Sequence, residues 1–114
     1  MTGRELDLLQ GTLDFLVLRA LAWKSLHGYA VARFIEEHSD GTFRVLDGAL
    51  YAALHRMEHR EWITAEWGLS DKGKRARFYT LTGLGREALR TQRASWALYV
   101  EAVGKVMRAK PRAA

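Results

Sequence analysis

Four cations, Lys72, Lys74, Arg75 and Arg77, fall within six residues that contain no acid. A flexible loop so charged can lie along a phosphate backbone or dip an arginine into a narrow minor groove. Asp71, just before the run, weakens that field slightly. A second set, Tyr51, His55, Arg56 and His59, recurs at three- and four-residue spacings that gather it on one side of a helix. His55, Arg56 and His59 can donate to base edges or to phosphates, and the hydroxyl of Tyr51, at the edge of that side, can reach a phosphate. Gly48 and Ala52 share that side and permit close approach of the backbone. Each set also has a plain reading, as a solubilising loop and as a solvated helix face.

Other chemistries fail on spacing. His55 and His59 stand four apart and could chelate a divalent ion, but HRMEH departs from HExxH because Glu58 adjoins the second histidine. No third ligand lies nearby in the sequence, so neither a metal site nor a cofactor is expected. The absence of cysteine excludes disulfides, thiol nucleophiles and cysteine-ligated zinc or iron–sulfur sites. None of the serines, Ser25, Ser39, Ser70 and Ser95, sits in a GxSxG elbow, and Gly83 with Gly85 gives only a GxG. An enzyme is not expected.

The elements that must position these groups fit within one domain of 114 residues, 48% hydrophobic and 27% charged. Charge is divided unevenly: residues 72–114 carry +9 and residues 1–71 carry −4, for a net +5. A basic half of this kind points to a polyanionic partner, nucleic acid before anionic membrane. The longest apolar stretch, residues 13–26, is broken by Asp14, Arg19 and Lys24, too short and too charged to span a bilayer. Glu5 and Asp7 do not read as a signal peptide, and a cytoplasmic location is expected.

Periodicity predicts a first helix over residues 6–23 with two apolar stripes. One is Leu6, Leu9, Leu13, Leu16, Val17 and Ala20; the other is Leu8, Phe15, Leu18 and Ala22. A helix apolar on both sides must be buried on both, and the second side points to a partner chain or a ligand. After a turn at residues 25–28, a second helix is expected over 29–38. A third spans about 47–60, with Asp47 as N-cap and Leu50, Ala53, Leu54 and Met57 facing inward. Residues 62–67 and 77–81 read as strands around a basic loop. Thr82 can cap a last helix through 107, where Leu89, Gln92, Trp96, Tyr99, Val103 and Val106 form a heptad-like seam.

Three helices, a hairpin and a long helix make a mainly α fold with a β-hairpin wing. This is a winged helix-turn-helix over residues 6–81 followed by a dimerisation helix over 82–107. Residues 108–114, with Pro111, are expected to fray. The third helix has the width to enter a major groove.

Four blocks carry a resemblance: GTLDFLVLRAL at 11–21, HGYAV at 27–31, GALYAALHRME at 48–58 and RARFYTLTGLGREAL at 75–89. In that order and spacing the chain resembles the PadR family of bacterial transcriptional regulators. The resemblance implies a homodimer on a pseudo-palindromic double-stranded DNA operator, usually repressing a nearby gene. It also implies dimerisation through the last helix, with Leu8, Phe15 and Leu18 joining its seam residues at the interface. Some members bind aromatic or drug-like effectors, for which Phe15 and Trp96 occupy suitable places. Ala49 and Ala52 depart from the threonine and proline common in the recognition block. The competing reading is a winged-helix protein-interaction module whose basic wing meets an acidic protein without specific DNA binding.

Overall fold

Apolar residues at helical spacing build most of the molecule, and a short sheet closes it. The computed structural model describes residues 10–112. Its elements are α1 (Gln10–Ala20), β1 (Leu26–His27), α2 (Gly28–His38), α3 (Asp47–His59), β2 (Ile63–Leu69), β3 (Arg75–Leu81) and α4 (Gly83–Arg108). This is a winged helix-turn-helix with a long final helix.

The core joins Leu13, Val17 and Leu18 of α1, Val31 and Ile35 of α2, and Leu50, Leu54 and Met57 of α3 to Ile63, Tyr79 and Leu81 of the sheet. Leu18, expected to face a partner chain, is instead fully buried inside its own chain. The helices packed around α1 cover both of its sides, so its second apolar stripe needs no outside cover at that position. Leu6, Leu8 and Leu9 lie outside the described residues.

Helix ends are fixed by local hydrogen bonds. His27 caps α2, its Nδ1 accepting from the Ala30 amide at 3.2 Å. Leu46 occupies the N-cap of α3 with no side-chain cap. Asp47, expected as that cap, sits in the first turn, where its carboxylate still complements the helix dipole. At the other end of α3, the Trp62 amide donates to Met57 O at 2.9 Å and the Glu61 amide to Glu58 O at 3.0 Å. That is a Schellman closure, with Glu61 left-handed at φ 62°.

The sheet is antiparallel in the order β1-β3-β2. β1, where only a turn was expected, pairs Leu26 with Tyr79 and His27 with Phe78. β2 and β3 stay in register from Ile63↔Leu81 to Leu69↔Arg75, so the wing strands are longer than their β-branched cores. The loop shrinks to a turn in which the Ser70 amide donates to Lys74 O and the Gly73 amide to Ser70 O, both at 2.8 Å. Arg75 therefore stands on a strand, not in a flexible loop, beside Arg77, where the strand was expected to begin.

Thr82 joins the wing to α4 as expected. Its hydroxyl oxygen accepts from the Gly85 amide at 3.0 Å and its hydroxyl donates to Glu61 O at 2.7 Å. Gly85 is buried so tightly that a Cβ would collide with the Trp62 carbonyl oxygen. Beyond Gln92, α4 leaves the core, and only Gly104 is as much as half-buried. Among the described residues no helix is long and apolar enough to cross a membrane.

Candidate nucleic-acid interface

Helix α3 buries Leu50, Ala53, Leu54 and Met57 and presents Gly48, Ala49, Tyr51, Ala52, His55 and His59 to solvent. Four inward residues at this spacing anchor one side firmly, so the outward side is small and mildly polar. Tyr51 is braced from behind: its hydroxyl would lie 2.8 Å from a Cβ placed on buried Gly28, at the start of α2. Glycine at that position lets the ring pack there while remaining half exposed. Among the described residues, no cluster of three potential metal ligands forms around His55 and His59.

Arg56 takes a different course from its helical neighbours. Its Nη2 donates to Asp14 Oδ1 at 2.6 Å and its Nε to Oδ2 at 3.4 Å. Asp14 is 5% exposed, on α1, and Arg60 approaches its other oxygen at 3.8 Å. Placed by helical spacing on the outward side, Arg56 is held sideways by a partner 42 residues earlier.

The wing divides its four cations. Lys72 and Lys74 are exposed at the turn. Arg75 lies over the Trp67 ring, 4.4 Å from its centroid, and Arg77 donates to Glu58 Oε2 at 2.8 Å. Burial pushes the nearby Tyr79 phenol above its ordinary value, although Arg77 opposes the shift.

A groove of about 900 Å³ runs between α2 and the wing, lined in part by Tyr29, Arg33, Tyr51, Trp67, Arg75 and Arg77. Trp67, Tyr29 and Arg33 were absent from the sequence-based site. Strand alternation could have found Trp67, because it faces the same side of the wing as its cross-strand partner Arg77. Arg33 stacks over Tyr29 and pairs with Glu37 at 2.7 Å, a hydrogen bond that holds its guanidinium above the usual range.

At the far side, Phe15 of α1 meets Trp96 of α4 with centroids 6.4 Å apart, and Trp96 stacks on Tyr99 at 5.8 Å. Val100, Val103, Val106 and Met107 continue this face and are exposed. Leu89 differs from them: it is half-buried against the chain's own core. Gln92 marks the transition, half-buried with an Oε1 that has no hydrogen-bond partner among the described residues.

The model of the transcriptional regulator PadR-like family matches residues 17–91. The chain belongs to that family. It is similar to uncharacterized protein X of Lysinibacillus sphaericus, 33% identical over 102 residues, covering 89% of this chain and 93% of the relative. A PadR family regulator of Eggerthella lenta is 28% identical with a TM-score of 0.75, covering 89% of this chain and 86% of its own. A second, from Clostridium difficile, is 27% identical with a TM-score of 0.73, covering 83% and 97%. PadR-like membership makes the protein a DNA-binding transcriptional regulator and not an enzyme.

Proposed function

We propose that the protein is a homodimeric repressor that reads a pseudo-palindromic operator with α3 in the major groove. The observation that carries this reading is the stripe of Trp96, Tyr99, Val100, Val103, Val106 and Met107. All are exposed on one side of a helix that leaves the core behind. A contiguous apolar face of this kind is costly in water, and a second α4 packed against it would remove the cost. Tyr51, His55 and His59 supply hydrogen-bond donors to the groove, while Lys72, Lys74 and Arg75 add phosphate contacts from the wing. Residues 82–107 form the dimerisation unit and residues 6–81 the DNA-binding unit, working in the cytoplasm. The Phe15–Trp96–Tyr99 cluster is the place for a small aromatic effector, because α1 and α4 both contribute rings there.

Selection of bound duplexes from a random pool tests the reading. It should return a two-fold symmetric sequence with half-sites about one helical turn apart, or a multiple of that. Replacing Lys72 and Lys74 together by alanine should weaken binding to every duplex. It should also flatten the log K versus log salt slope by up to about 1.8 per protomer. Recovery of no preferred sequence, with wild-type binding that is merely salt-sensitive, would favour a protein-interaction module instead.

A further inference from the structure

We propose that Asp14 and Glu58 set DNA specificity by holding arginines of the recognition helix and wing away from phosphates. The inference rests on the reading that α3 enters the groove, and deepens it.

Three guanidinium groups near the recognition surface end on two carboxylates. Arg56 is bound through two nitrogens to Asp14, at 2.6 and 3.4 Å, and Arg60 reaches the same acid at 3.8 Å. Arg77 is bound to Glu58 at 2.8 Å. Geometry of the Arg56 kind gives the strong, charge-assisted form of the hydrogen bond. Asp14 is nearly enclosed, so its remaining charge cannot be satisfied by water if Arg56 departs. Glu58 is itself on α3, three residues after His55, and ties the turn-side half of β3 to the recognition helix through Arg77. Over residues 47–60 the acids Asp47 and Glu58 balance Arg56 and Arg60, leaving no formal charge on the recognition segment.

The consequence follows from how nonspecific binding arises. Attraction to any duplex grows with the number of phosphates neutralised and carries no sequence information. An arginine free at the edge of α3 would strengthen binding to every sequence alike. Held on a carboxylate, it leaves discrimination to Tyr51, His55 and His59, whose donors must meet matching base edges. Nonspecific attraction is thereby concentrated in the turn of the wing. Asp14 and Glu58 are positioning residues: they act on DNA through the arginines they hold.

The variants Asp14→Asn and Glu58→Gln keep shape and one hydrogen bond while removing the charge. Dissociation constants are measured for a selected operator and a scrambled duplex between 50 and 200 mM salt. Each released arginine should steepen the scrambled-duplex slope by about 0.9 per protomer. Affinity for the scrambled duplex at low salt should rise several-fold, and the operator preference should fall at least fivefold. A purely structural role would weaken both duplexes in parallel without steepening either slope, and that result overturns the proposal. Unchanged slopes and affinities overturn it as well. Glu58 lies at the surface, so its variant decides alone if Asp14→Asn fails to fold. His55→Ala separates the two readings: equal effects on both duplexes reject α3 as the reading element. Loss on the operator alone, with unchanged slopes in the carboxylate variants, rejects only the role of the carboxylates.

Discussion

Glu61 holds a left-handed backbone at the close of α3, with φ at 62°. A side chain costs about 1–2 kcal/mol in that region, a cost glycine does not bear. Glu61→Gly should therefore raise stability by about 1 kcal/mol after the added freedom of the unfolded chain is subtracted. In thermal unfolding this corresponds to a rise of about 4–8 °C; an unchanged or lower midpoint would show that the Glu61 side chain contributes a contact of its own. Single residues were unevenly legible in the sequence. Helical spacing put His55 and His59 on the exposed side of α3 because only neighbours along the chain decide that. The same reasoning placed Arg56 beside them and could not foresee Asp14, a partner on another helix. Nor could it foresee that Glu58, one residue before His59, would draw in Arg77 from the wing.

Among the elements, α2, α3 and α4 were readable from periodicity because each carries one continuous apolar face, buried in α2 and α3 and exposed along most of α4. β1 was not, since two residues carry no period, and its pairing with β3 exists only through the tertiary fold. The wing strands outran their β-branched cores because hydrogen bonding continues through Trp67–Arg77 to Leu69–Arg75. The junction of wing and α4 depends most on one position. Gly85→Ala should cost about 1–3 kcal/mol, since its methyl group has to displace the Trp62 carbonyl that also accepts from the Thr82 amide. Denaturant unfolding measures the loss. A variant as stable as the parent would mean that the start of α4 can shift without strain.

At the scale of the whole molecule, the principal extents of 66 × 38 × 22 Å describe a head with a rod leaving it. The exposed apolar side of that rod makes a specific claim about assembly. Val103→Glu should place a charge in the middle of the stripe and raise the dimer dissociation constant at least 100-fold, a cost of about 2.7 kcal/mol. Sedimentation velocity should then find a single 13.0 kDa species, and operator affinity should fall with it. A variant that still sediments as a dimer would move the interface elsewhere. The contact of Gly85 with the Trp62 carbonyl has a further outcome for the DNA. Packing is tight where rod meets head, and in the proposed dimer two heads joined by their rods hold one fixed phase. Adding a single base pair between half-sites displaces one of them by about 3.4 Å and turns it by a tenth of a helical repeat. Such a spacer should be refused even when every contacted base is correct.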